Sequence, residues 1–131
     1  MSEFNLKLDY YGLLNLHKAL LEAKFNMNPD NEMVSGSPFV ADIYAEVRDM
    51  LIESDSSGQW QEWFQLRHRP DYRQRAIMRM KKYRRWDKAS PERRREIAEH
   101  YLAPFLYNEA ELDEVMAEMA ECGGTVDDKR G

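Results

Sequence analysis

The side chains that could support catalysis or metal binding are few and scattered in this sequence. The three histidines, His17, His68 and His100, lie far apart, and none has a second histidine four residues away, as a helical zinc motif requires. The single cysteine, Cys122, can form neither an internal disulfide nor a thiolate cluster. Glycine-rich phosphate loops and Gly-x-Ser-x-Gly elbows are missing. The sequence therefore predicts no catalytic residues, no metal site and no cofactor.

One acid–base pair has helical spacing, because Glu96 precedes His100 by four residues. A carboxylate beside an imidazole can orient a general base. The same spacing is common in structural pairs on helices, and we favour that interpretation. His17 lies on or beside an apolar helical stripe, so we predict a satisfied histidine at the edge of the core.

The strongest chemical signal is a segment of concentrated positive charge. Residues 67–95 contain 13 of the 19 Lys and Arg residues and three acidic residues, so this segment carries +10 in a chain of net charge −5. Residues 1–66 carry −7 and residues 96–131 carry −8. Charge segregated in this way favours an electrostatic role at a surface.

Part of this positive charge falls on one face of the fourth predicted helix. Its members recur at steps of three and four residues: Arg75, Arg79, Lys82 and Arg85. Such a face could contact the phosphates of a nucleic acid, with Tyr83 and Trp86 stacking on bases. The net negative charge of the chain argues against a dedicated nonspecific DNA-binding protein. A solvated helix face, partly paired with acidic residues between Glu109 and Glu114, is the simpler interpretation.

A second, acidic face is predicted on the last helix. Its members are Glu111, Glu114, Glu118 and Glu121, which could present carboxylates to a basic protein. These residues also favour helix formation and solubility, so a solvated face is again the simpler explanation.

Helical periodicity and start signals organise these residues into five or six predicted helices. Asp9 is a predicted N-cap for a helix over residues 10–25, and Ser-Pro pairs at 37–38 and 90–91 mark two further helix starts. Residues 26–37 are predicted to form a loop. No period-two strand pattern is present.

The remaining predicted helices lie in the aromatic and basic parts of the chain. A short helix falls within residues 59–66, and a basic helix runs from Pro70 to about Trp86. The last helix is capped by Asn108 and Glu111 and is predicted to end at Gly123 and Gly124.

These elements predict an all-α fold, in the form of a single compact bundle. Residues 1–124 are expected to form one helical domain, and residues 125–131 a flexible C-terminal tail. The sequence has no apolar run of signal-peptide or membrane-spanning length, so we expect a cytoplasmic protein without a membrane partner.

These features favour a non-enzymatic, intracellular protein-binding module. A regulator, an adaptor or an immunity-type inhibitor of a bacterial effector would act by charge-complementary binding and needs no catalytic group. The alternative is a nucleic-acid-binding protein that uses the basic face within residues 67–95.

Overall fold

A computed structural model describes the backbone of residues 6–26 and 32–130 and the side chains of residues 6–26 and 33–120. This part of the chain folds into seven α-helices and one short 3-10 helix, with no β-strand. The predicted all-α class is confirmed. The predicted number of helices is too low, because a short helix lies inside the predicted loop over residues 26–37.

The helix bounds follow the chain in order. They are α1 (Tyr10–Phe25), α2 (Glu32–Ser35), α3 (Pro38–Ser54), α4 (Gln59–Trp63), the 3-10 helix (Leu66–His68), α5 (Pro70–Lys81), α6 (Pro91–Leu102) and α7 (Glu109–Arg130).

The predicted helix caps are confirmed by their hydrogen bonds. The side chains of Asp9, Ser37 and Ser90 each accept a hydrogen bond from the backbone amide three residues further on, at 2.8, 3.2 and 3.1 Å. Asn108 and Glu111 form a reciprocal capping box, in which each side chain accepts from the other residue's amide. These contacts satisfy amide donors that a helix start otherwise leaves free.

Two predicted helix ends are wrong. The basic helix α5 ends at Lys81 rather than near Trp86, because the chain then passes through a series of turns. The last helix continues through Gly123 and Gly124 to Arg130. Glycine permits a left-handed helix end without requiring one, and in a helix interior it costs only about 1 kcal/mol relative to alanine. The division into a domain over 1–124 and a flexible tail over 125–131 stays a prediction.

The core lies where α1, α3, α5, α6 and α7 pack together. Helix α1 packs along α3, α5 packs on α6, and α7 contacts both α5 and α6. Fully buried side chains include Tyr44, Leu51, Leu102 and Val115. The chain after α4 is tied to the segment after α6, since the Leu66 amide donates to the Leu106 carbonyl at 2.9 Å. No described helix has the length and apolar character that crossing a membrane would require.

Candidate interaction surface

The structure divides the predicted basic face of residues 75–85. Arg75, Lys82 and Arg85 are exposed, and the Arg75 guanidinium lies over the Tyr72 ring, 5.4 Å from its centroid. Arg79 is buried, with 3% exposure, and its Nε donates to the Ser35 hydroxyl at 3.3 Å. Its prediction as a surface contact is wrong because α2, absent from the predicted fold, packs against α5 at this point.

Trp86 is also unavailable for the base stacking predicted from the sequence. Its side chain is buried in the core. Arg94 holds it there, since its Nε donates to the Trp86 carbonyl at 2.8 Å and its guanidinium lies over the indole ring. A second guanidinium nitrogen donates to the Asp87 carbonyl at 3.0 Å. Arg94 therefore fixes the turns that follow α5.

Other basic residues of the segment are paired with carboxylates on α7. Arg73 contacts Glu118, and Arg95 contacts both Glu109 and Asp113. The hydrogen bond from Arg73 holds the pKa of Glu118 below its usual value. The predicted pairing with the acidic residues of the last helix is confirmed for Glu109 and Asp113.

The predicted acidic face is thus divided as well. Glu118 pairs with Arg73, and Glu111 belongs to the Asn108 capping box. Glu114 remains exposed, and the side chain of Glu121 lies outside the described residues. Part of the two predicted surfaces is therefore used within the chain, in the ion pairs of Arg73 with Glu118 and of Arg95 with Glu109 and Asp113. We call these ion pairs between α7 and the α5–α6 pair the clasp.

An open groove lies where the α2–α3 junction, the turns over residues 82–89 and helix α6 converge. Its volume is about 550 Å³. The apolar lining residues are Met33, Pro38, Phe39, Tyr83, Ile97 and Tyr101, and the lining also contains Arg84, Arg85, Arg93 and His100. We refer to this feature as the basic groove. Pockets of about 300–1,000 Å³ are typical of ligand sites.

Two large apolar side chains at the basic groove face solvent. Met33 is 88% exposed and Phe39 is 78% exposed. Both flank the N-terminus of α3, where Ser37 caps the helix and Pro38 begins it. Exposed apolar groups gathered beside a concave surface are typical of a binding site, because their burial by a partner is favourable.

Gly36 fixes the back wall of the basic groove. A Cβ at this position would lie 2.7 Å from the Tyr101 ring, so only glycine lets the α2–α3 junction approach α6 this closely. The aromatic ring and the glycine backbone therefore form one continuous wall.

The basic side of the groove is presented by turns. The amides of Lys82, Tyr83 and Trp86 each donate to the carbonyl three residues earlier, at 3.0–3.2 Å. Arg84 and Arg85 are exposed on these turns, and neither forms an ion pair with a carboxylate in the described ranges. Their positive charge is available to a partner.

Lys24 is buried beneath the groove, with 1% exposure. Its ammonium donates to the carbonyls of Ser35, His100 and Tyr101 at 3.1, 2.6 and 3.0 Å. Burial lowers the pKa of Lys24 to about 7, while the three carbonyls and the negative end of the α6 dipole favour its charged form. Lys24 thus joins α1 to both walls of the groove.

Sequence reasoning missed Lys24 as a structural residue. One signal was available, since Lys24 follows His17 by seven residues and therefore lies on the same face of α1 as His17 and Leu13. Its acceptors are backbone carbonyls from distant parts of the chain, which no side-chain pattern reveals.

His17 is satisfied as predicted, but it lies inside the core rather than at its edge. It is 3% exposed, and its Nδ1 lies 2.7 Å from the Tyr44 hydroxyl. Rings of Trp60, Trp63 and Phe64 surround it edge-on. Burial, followed by the positive charge of Lys18, lowers its pKa to about 4.

The other candidate catalytic and metal-binding residues do not form a site among the described residues. Glu96 forms its ion pair with Arg93 rather than with His100. Among the residues that the structure describes, no group of three His, Cys, Asp or Glu side chains could hold a metal. The side chain of Cys122 lies outside the described residues.

Comparisons with known proteins return no relative, since no family model, curated protein or solved structure matches the chain.

Proposed function

We propose that this protein is a non-enzymatic protein-binding module that receives an acidic, partly apolar segment of a partner protein in the basic groove. An immunity-type inhibitor of a toxin, an adaptor and a regulator are members of this class, because each acts by occupying a surface.

The observation that supports this proposal most directly is the position of exposed apolar side chains beside available arginines. Met33 and Phe39 offer surface that an anchoring side chain of the partner would bury, and Arg84 and Arg85 stand at the edge of the same groove. Interfaces typically derive most affinity from a few such anchors, while charge sets partner choice and association rate.

Selection from a random peptide library on the folded protein tests the proposal. We expect the selected peptides to combine Asp and Glu with one aromatic or aliphatic anchor. Synthetic copies, followed by fluorescence anisotropy, should lose at least about tenfold in affinity for the Phe39→Ser variant and for the Arg84→Glu/Arg85→Glu variant, the loss expected when an anchor or charge pair is removed.

Arg75→Glu is the matched control, because Arg75 is exposed and basic but does not line the groove. Its affinity for the selected peptides should stay within about twofold of the unmodified protein, as for a charge outside the interface. Peptides without acidic residues, or equal losses in all three variants, would contradict the proposal.

Nucleic acid is the second candidate, favoured by the position of Arg84 and Arg85 beside the half-buried Tyr83 ring. Its test is anisotropy with a labelled single-stranded oligonucleotide across a salt series. Affinity that falls steeply with salt, with a smaller slope in a Lys82→Ala/Arg85→Ala variant, would replace the protein-binding proposal with this one.

A further inference from the structure

Helix α3 carries a line of exposed apolar side chains that begins at Phe39 in the basic groove and continues along the helix beyond it. Phe39, Ile43 and Met50 are each at least half exposed. Ile43 and Met50 follow Phe39 by four and eleven residues. At helical spacing, the three side chains lie within about 40° of one another around the axis and extend over about 16 Å along it. The line therefore extends for about three helical turns.

Carboxylates border this line along one side. The exposed acidic residues of α3 are Asp42, Glu46, Asp49 and Glu53. Arg48 contacts Asp49 at 2.9 Å, and its other guanidinium nitrogen donates to the Pro104 carbonyl. Glu46 and Glu53 form no ion pair with a described cation. We call these acids and the apolar line the acidic face of α3.

We propose that the acidic face of α3 docks a basic amphipathic helix of a partner protein. A helix of three turns with an apolar stripe covers Phe39, Ile43 and Met50, and Lys or Arg beside that stripe pairs with the carboxylates. This interface shares Phe39 with the basic groove but extends away from it along α3, and it has the opposite charge preference.

Charge complementarity selects this occupant over the others. A second copy docked through α3 would bring two sets of like carboxylates together, which opposes association. An acidic segment of the kind proposed for the basic groove would be repelled here for the same reason. A basic helix gains apolar burial and charge pairing together.

Two synthetic helical peptides of about four turns provide the probe. They share one leucine stripe, which is flanked by lysines in the first peptide and by glutamates in the second. With fluorescein labels and anisotropy detection, we expect the lysine peptide to bind at least about tenfold more tightly than the glutamate peptide, and its affinity to fall as salt is added.

Charge reversal then locates the site. Glu46→Lys/Glu53→Lys should weaken binding of the lysine peptide at least about tenfold. Glu114→Lys is the matched control, since Glu114 is an exposed glutamate on α7, and it should change the affinity less than about twofold. Circular dichroism spectra should be the same for both variants and the unmodified protein, which shows that a loss of affinity does not result from unfolding.

This experiment tests the two proposed surfaces independently. Arg84→Glu/Arg85→Glu should affect only the acidic peptides of the basic groove, and the α3 variant only the lysine peptide, whereas Phe39→Ser should weaken both. Equal binding of the two leucine peptides, or no effect of the α3 variant, would overturn the α3 interface and leave the groove proposal standing. Dimerisation through α3, detected by sedimentation and abolished by Ile43→Asp, would assign this face to a second copy and overturn the proposal.

Discussion

The basic residues of the 67–95 segment serve differently in two regions of the molecule. Facing α7, Arg73 and Arg95 are paired with carboxylates on that helix. At the basic groove, Arg84 and Arg85 have no such partner in the described part of the chain, although they lie in the same segment. The difference arises because α7 packs against α5 and α6, whereas Arg84 and Arg85 lie in turns that line the groove.

This contrast shows that a charge-rich segment is not one surface. A cation facing an acidic helix contributes to the fold, and one on an uncovered turn is available for binding. Lys24 is a third kind of cation, because it is buried and its ammonium donates to three backbone carbonyls in the walls of the groove. We therefore expect substitutions to separate into those that change stability and those that change binding.

Replacing Lys24 should have the largest effect on stability. Lys24→Met keeps much of the side-chain volume but leaves the carbonyls of His100 and Tyr101 without this donor in a buried site. We expect a loss of about 3 kcal/mol in the free energy of unfolding, measured by urea denaturation. Arg84→Met, an exposed counterpart on the groove, should lose less than about 0.5 kcal/mol. Equal losses of unfolding free energy in the two variants would show that the buried cation is no more important for stability than the exposed one.

His17 should make stability depend on pH in the acidic range. Its pKa is lowered to about 4 in the folded protein, while the unfolded chain takes up the proton near the ordinary histidine value of 6.5. The unfolded state therefore binds more protons at this site between these values. The contribution of neutral His17 to stability is complete above about pH 6.5 and is lost as the pH falls towards 4, by about 3 kcal/mol.

Urea denaturation across this range checks the prediction. His17→Gln should flatten the dependence while keeping a polar group near the Tyr44 hydroxyl. A pH profile that is unchanged by this substitution would show that His17 is not the titrating group.

The clasp between α5 and α7 should contribute a smaller amount. Arg73 and Glu118 are both partly exposed, so solvent screens their attraction. A double-mutant cycle with Arg73→Ala and Glu118→Ala should give a coupling energy of about 0.5 kcal/mol. A coupling energy near zero would mean that the paired region contributes no more to the fold than the groove arginines do.

The groove arginines should have the smallest effect on stability. Arg84→Glu/Arg85→Glu should shift the urea midpoint by an amount equivalent to less than about 0.5 kcal/mol, because these exposed side chains form no described ion pair. A large loss of stability would place these arginines with the internal cations instead.

The local features of the fold could be predicted from the sequence. Asp9, the Ser-Pro pairs and the Asn108 capping box act through hydrogen bonds within three residues, so their signal is contained in the local sequence. The packing of His17 near the core was also predictable, because it lies on or beside an apolar helical stripe, whereas its full burial was not.

The site was less accessible to sequence reasoning. Arg79 has the spacing of an exposed face, yet α2 covers it, and α2 has only four residues, too few to show a helical periodicity in the sequence. The basic groove joins segments that are distant along the chain, from Met33 to Tyr101. Only tertiary packing decides which cations of a charged segment remain available.

Amide chemical-shift mapping by NMR tests whether the basic groove is a protein-binding site. The ¹⁵N-labelled protein is titrated with an acidic, aromatic-anchored peptide obtained from the library selection. We expect the largest shifts at Gly36, Phe39, Arg84 and Arg85, and their loss in the Arg84→Glu/Arg85→Glu variant. Shifts confined to other surfaces, such as the exposed part of α7 near Glu114, would show that the peptide does not bind in the basic groove.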